Sequence, residues 1–169
     1  MAIWQFKVEI IPDAEAGQRE LIPDDEWEEA QWWLNSPPPD ELLEELACLL
    51  PSHKSWSDDL SQWGDQQSDL VEVWREGANV ESISARIDTR ALNSEFVKSL
   101  LEIANKWNCR LVYARHRKAL PRDYMNLEKA LLESPNFKVM RDPELWLPKM
   151  AAEVESNSVR VTKSAPEDL

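Results

Sequence analysis

Glycine is nearly absent from this chain: Gly17, Gly64 and Gly77 are the only three in 169 residues. A phosphate-cradling loop needs several glycines close together, so nucleotide-binding loops of that kind are excluded. Cysteine and histidine are equally scarce, with two of each. Cys48 and Cys109 are too scattered, together with His53 and His116, for a disulfide framework or a zinc motif. Both thiols are expected to be buried. Bases are short relative to acids, 19 against 32, which leaves a net charge of −13. Phosphate contacts need a basic face, so general nucleic-acid binding is excluded. No apolar run approaches a membrane span, and the N-terminus lacks the charged start and apolar stretch of a signal peptide. Cytoplasmic residence without a membrane partner is the expectation. No nucleophile with its base and no oxyanion site can be read. Catalytic, cofactor and metal residues are therefore assigned to none, and the enzyme question leans towards no.

What is plentiful is tryptophan and acid. Nine tryptophans occur: Trp4, Trp27, Trp32, Trp33, Trp56, Trp63, Trp74, Trp107 and Trp146. Most are expected in the core, with those in loops or on outer strand faces left as interface anchors. The charge is segregated. Glu9 to Glu45 holds thirteen acids and one base, Arg19, whereas Ile103 to Arg122 holds six bases and no acid. Two readings stand: solvated faces of opposite sign, or a dipolar molecule that docks through one pole.

The stretch Asp69–Arg115 carries the clearest fold signal. Ile83, Ala85 and Ile87 alternate with Ser84, Arg86 and Asp88, a period of two that predicts a strand with one apolar face. Val71 and Val73 do the same beside Glu72 and Trp74. Gly77 and Asn79 supply turn chemistry, so a hairpin is predicted. Val97, Leu100, Leu101, Ala104 and Trp107 form one helical stripe, capped at Asn93 or Ser94. Leu111 and Tyr113 face inward on a closing strand. Before this unit, Trp4, Phe6, Val8 and Ile10 alternate in a strand ended by Pro12, and Asp13–Ile22 reads as a loop. A short helix opens at Pro23-Asp24, and Asp40 is expected to cap a second, with Leu42, Leu43 and Leu46 buried. After it, Asp123 caps a helix that Ser134-Pro135 stops. Phe137, Val139 and Met140 read as a short edge strand, and Asp142-Pro143 opens a further turn.

The predicted fold is α+β: a four-stranded antiparallel sheet with helices on one face, a ferredoxin-like split β-α-β core with an extra helix in the first crossover. Residues 1–152 form one domain, and 153–169 a polar, flexible tail. The open sheet face would carry Gln5, Lys7, Glu9, Glu72, Trp74, Ser84, Arg86 and Asp88.

Residues 52–68 read as a long ordered loop, the kind that often carries function. With the sheet face beside it, this loop gives a candidate binding surface of His53, Trp56, Asp58, Asp59, Trp63, Trp74, Arg86, Asp88 and Arg90. Arg86 and Asp88 are near enough to pair, and a surface ion-pair ladder worth little in stability is the plainer reading. His53, Asp58 and Asp59 as a metal trio is the weaker alternative. The acidic residues Asp24, Asp25 and Glu28 form a second candidate surface, for a basic protein partner. The loop S-W-S-D-D-L-x-x-W-G and the strand R-I-D-x-R resemble an uncharacterised family of small bacterial proteins, a likeness over residues 3–147 that implies no activity. In size, acidity and make-up the chain is also similar to immunity proteins that neutralise bacterial toxins. Three functions stay open: a non-enzymatic binding protein of the immunity or inhibitor kind, a small-ligand or enzymatic site between the 52–68 loop and the sheet, and a scaffold.

Overall fold

The alternation at the N-terminus becomes β1 (Gln5–Pro12), an interior strand of the sheet. The computed structural model describes residues 2–163. After β1 come α1 (Asp13–Ala16), α2 (Asp24–Glu29) and α3 (Asp40–Ala47), then β2 (Ser52–His53), β3 (Leu60–Gly64), β4 (Leu70–Glu76) and β5 (Asn79–Asp88). The chain continues with α4 (Ser94–Lys106), β6 (Cys109–Tyr113), β7 (Lys118–Ala119), α5 (Tyr124–Leu132), α6 (Pro135–Arg141) and α7 (Pro143–Lys163). No helix among the described residues is long and apolar enough to cross a membrane.

The fold is α+β, but the expected four-stranded ferredoxin-like sheet is corrected. Among the described residues the sheet has seven strands in the order β2-β3-β4-β5-β1-β6-β7, every pair antiparallel. The strands read from the sequence are the inner four. The extra three are short or polar: β2 and β7 have two residues each, and β3 reads Leu-Ser-Gln-Trp-Gly. The 52–68 segment is thus mostly a hairpin rather than a loop.

The core follows from strand parity. Phe6, Val8 and Ile10 of β1 join Val71, Val73, Ile83, Ala85, Ile87 and Leu111 on one face, against Leu42 and Leu46 of α3, Leu100 and Ala104 of α4, and Leu127 and Leu131 of α5. Each fully buried Leu or Ile contributes about 2 kcal/mol by leaving water. Ile11 points the other way, as the next residue of a strand must. It forms a second cluster with Val112, Ala16 of α1 and Ile22. Apolar packing therefore lies on both faces, which corrects the expectation of helices on one.

Several ends differ from expectation for local reasons. Asn93 caps α4 by accepting from the Phe96 amide, as read. Asp40 is instead the first residue of α3, after Pro39. Ser134-Pro135 starts a helix as well as stopping one: Ser134 accepts from the Phe137 amide and Pro135 takes the first helical position. Phe137, Val139 and Met140 therefore lie in α6, not in an edge strand. Residues 153–163, expected as tail, continue α7, and 164–169 lie outside the described residues.

The tryptophan expectation holds in part: Trp27, Trp32, Trp63 and Trp107 pack half-buried against the two apolar clusters. Of the nine, Trp33 alone is fully buried, and its indole donates to the Ile10 carbonyl at 3.1 Å. Three of the others carry cations over their rings. Arg90 lies over Trp4, Lys106 over Trp107, and Lys138 and Lys149 over Trp146. Trp63 packs on the main core from the side. Cys48 is exposed, against expectation, and Cys109 is buried.

Candidate functional site

The strand register places five polar side chains in one line across the sheet. His53 pairs with Gln62, Gln62 with Glu72, Glu72 with Ser84, and Ser84 with Glu9. Directly paired residues share a face, so this row lies on the side opposite the main core. Lys7 and Arg86, themselves paired, occupy the next rung of the same face. Trp74 is two residues beyond Glu72 and faces the same way.

The row is largely buried although it sits on a sheet face: Gln62 and Glu72 are 4% exposed and Ser84 2%. The expected open face is corrected accordingly, with Gln5 and Asp88 buried as well. Gln62 Nε2 donates to Glu72 Oε1 at 2.9 Å, and Arg86 pairs with Glu72 Oε2 at 2.8 Å. Both carboxylate oxygens of Glu72 are therefore used. Lys7 meets Glu9 at 2.8 Å. Burial still holds the Glu9 carboxyl above its usual range, against the pull of Lys7 and with a smaller push from Glu72. Two buried atoms in this network have no hydrogen-bond partner: Gln62 Oε1 and Arg86 Nε.

The sequence-read candidates divide. His53, Trp74 and Arg86 belong to this face. Trp56 does too, packing edge-on against Trp74 with ring centroids 5.4 Å apart while remaining 74% exposed. Trp63 pairs with core residue Val71 and so faces the other side. Asp58 and Asp59 are exposed in the β2–β3 turn. They do not gather with His53, and no group of three metal-ligating side chains occurs among the described residues.

Asp88 and Arg90 have another task. Arg86 does not pair with Asp88, since Glu72 takes it. Asp88 instead accepts from the Arg90 amide and guanidinium, at 2.9 and 2.7 Å. Arg90 also donates to the Gln67 carbonyl, and Gln5 Nε2 donates to the carbonyls of Gln66 and Ser68 at 2.8 and 3.1 Å. The R-I-D-T-R segment thus pins the 65–69 turn to the ends of β1 and β5. Burial would raise the Asp88 carboxyl, but hydrogen bonds from Arg90 outweigh it and hold it below the usual range.

The opposite charges in the sequence close on each other. Asp13 takes Arg110 and Arg122, Glu20 takes Lys118, Asp24 takes Arg117 and Glu45 takes Lys106. Arg115 pairs with Glu153 at 3.0 Å. Every base of the 103–122 segment is committed, so there is no free basic pole. The pairing of β1 with β6 brings the segments together. Asp24 is spent in this way, whereas Asp25 and Glu28 stay exposed. Beside Glu28, a groove of about 460 Å³ runs between α2 and the β4–β5 hairpin, lined by Glu28, Glu29, Glu76 and Glu81 over Leu34 and Val80. None of these four carboxylates meets a basic side chain within 4.0 Å among the described residues.

A second cavity, of about 540 Å³, lies between β6–β7 and the α5–α6 corner, walled by Phe6, Tyr113, Leu120, Ala130 and Pro135 with His116 at one side. Its size and apolar lining suit a small molecule. Its polar groups are already satisfied. Tyr113 Oη donates to Asn136 Oδ1 at 2.7 Å, Ser134 Oγ to the Leu131 carbonyl at 2.6 Å, and Lys118 pairs with Glu20. Burial keeps the His116 imidazole below its usual range, in spite of Glu153. Nothing unsatisfied in this cavity calls for a ligand, unlike the row on the sheet.

Sequence reading placed Lys7, Glu9, Glu72 and Ser84 on one sheet face but not as a network, and it missed Gln62, which it left in the 52–68 loop. The one available signal was alternation in Leu60-x-Gln62-x-Gly64, which places Gln62 on a strand face. No protein-family model matches the chain, and no curated protein or solved structure shows significant similarity to it.

Proposed function

We propose that this chain is a cytoplasmic, non-enzymatic binding protein of the inhibitor or immunity kind, engaging a basic protein partner. The supporting observation is the internal settlement of charge. All six bases of the 103–122 segment are paired with acids, while Glu28, Glu29, Glu76 and Glu81 around one groove are not. An uncompensated acidic groove with an apolar floor steers a cationic partner and offers it a contact that excludes water. Asp25, exposed at the start of α2, adds a further acid on the helix that carries Glu28.

The test sets the wild-type chain beside an E28K/E29K/E81K variant, both immobilised and exposed to lysate of the source cells at low and high salt. A basic protein held by the wild type at low salt, released by salt and not held by the folded variant is the expected result. Retention that is equal on both, or no retention on either, overturns the reading.

A further inference from the structure

We infer that the polar row on the sheet face binds a neutral polyhydroxyl ligand, a saccharide, between Gln62, Arg86 and the Trp56–Trp74 pair. Its first ground is the amide of Gln62. This side chain is 4% exposed and its Nε2 is fixed on Glu72, yet Oε1 has no donor. On the other flank of Glu72, Arg86 Nε has no acceptor. A bare buried acceptor or donor is costly, so both atoms favour a ligand that satisfies them.

The second ground is charge. Glu72 is neutralised by Arg86 and Glu9 by Lys7, at 2.8 Å in each case. A strongly anionic or cationic ligand would have to break one of these pairs. A neutral one need not. The orphan pair asks for a donor on one side and an acceptor on the other. A hydroxyl group supplies both, and neighbouring hydroxyls on a ring supply them repeatedly.

The third ground is the aromatic neighbour. Trp74 follows Glu72 on the same face, and Trp56 stands against it while 74% exposed. An indole beside a polar network suits a molecule with an apolar face and a polar rim. The row from His53 to Glu9 spans four strand spacings, about 19 Å, so it offers polar groups at repeated intervals.

The experiment titrates glucose, N-acetylglucosamine and oligomers of each, into the millimolar range, against the full chain. It follows tryptophan emission and amide chemical shifts, and a glycan array widens the panel. Free glycine and lysine serve as zwitterionic and cationic controls. Saturable binding by a saccharide, with shifts at Gln62, Ser84 and Trp74, is expected. It should weaken by about tenfold in Gln62→Leu, the loss of one hydrogen bond to a buried amide, and more modestly in Trp56→Ala. Trp56 is exposed enough that its removal leaves the fold intact, so that variant stays informative if Gln62→Leu unfolds. Binding that ignores both changes overturns the location. Binding of the amino acids instead, or of nothing on the array, overturns the ligand class. Neither result bears on capture of a basic protein by the acidic groove, so the two readings fail separately.

Discussion

Glu72 and Arg86 meet diagonally across β4 and β5 at 2.8 Å, with Glu72 almost wholly withdrawn from water. Removing one member of such a pair leaves a buried charge without compensation, whereas removing both does not. Arg86→Leu is therefore expected to cost about 3 kcal/mol, and the double change Glu72→Leu with Arg86→Leu is expected to recover much of it. Urea unfolding of the wild type, both single variants and the double variant gives the coupling directly. Additive losses would show that the two side chains do not act as a pair.

Glu9 and Asp88 are expected to titrate on opposite sides of the normal carboxylate range. Burial raises Glu9 above 4.5, and the Arg90 hydrogen bonds carry Asp88 below 3.8 despite its burial. A raised folded pKa gives stability that is present below the unfolded value and lost as pH climbs through the folded one. A lowered folded pKa gives the reverse. The stability of the wild type relative to Glu9→Gln should therefore fall as pH rises past 4.5. Relative to Asp88→Asn it should shrink as pH drops below 3.8. Carbon-13 carboxyl titrations locate the two groups, and denaturation from about pH 3 to about pH 7 measures the consequence.

Two glycines with positive φ separate strain from clash. At Gly64, φ is +106° and an added Cβ would stand 2.2 Å from the Asp69 carbonyl oxygen, on backbone that cannot yield. At Gly77, φ is +60° and nothing lies within 4 Å. Gly77→Ala should cost about 1 kcal/mol, the left-handed penalty alone. Gly64→Ala should cost at least about 3 kcal/mol, because the β3–β4 turn must open to admit it. Thermal melts of the two variants rank them, and equal losses would mean that the turn at Asp69 is looser than its geometry implies.

How much of this was legible in the chain depends on the kind of signal. Phe6, Val8 and Ile10 announce β1 by alternation, and Val97, Leu100, Leu101 and Ala104 announce α4 by helical spacing, because each element buries its own face. Strand β2 is two residues long and carries no period at all. Residues Ser52–Gly64 therefore looked like loop, and the sheet looked narrower than it is. The polar row was hidden for a different reason. Strand parity puts Glu9, Glu72 and Ser84 on one face, but Gln62 and His53 sat in what read as loop, and hydrogen-bonded register alone sets all five in line. The charge segments were plain in the sequence, but their mutual pairing follows from β1 lying beside β6. Chain order could not supply that adjacency.

That same adjacency makes the two thiols a probe of the β1–β6 ladder. Cys48 is exposed after α3. Cys109 opposes Pro12 in the β1–β6 ladder, and burial, aided by the negative charge of Asp13, pushes its thiol up to about 12. The reactive species is the thiolate, so Cys109 is protected both by access and by protonation. In native protein a thiol reagent should modify one cysteine promptly, and Cys48→Ser should abolish that phase. The second thiol should react only when β6 parts from β1, at a rate that rises with denaturant as global unfolding does. Two prompt reactions in native buffer would mean that the end of this ladder opens on its own. The pairing of the acidic and basic segments through Asp13, Arg110 and Arg122 would then be looser than the structure requires.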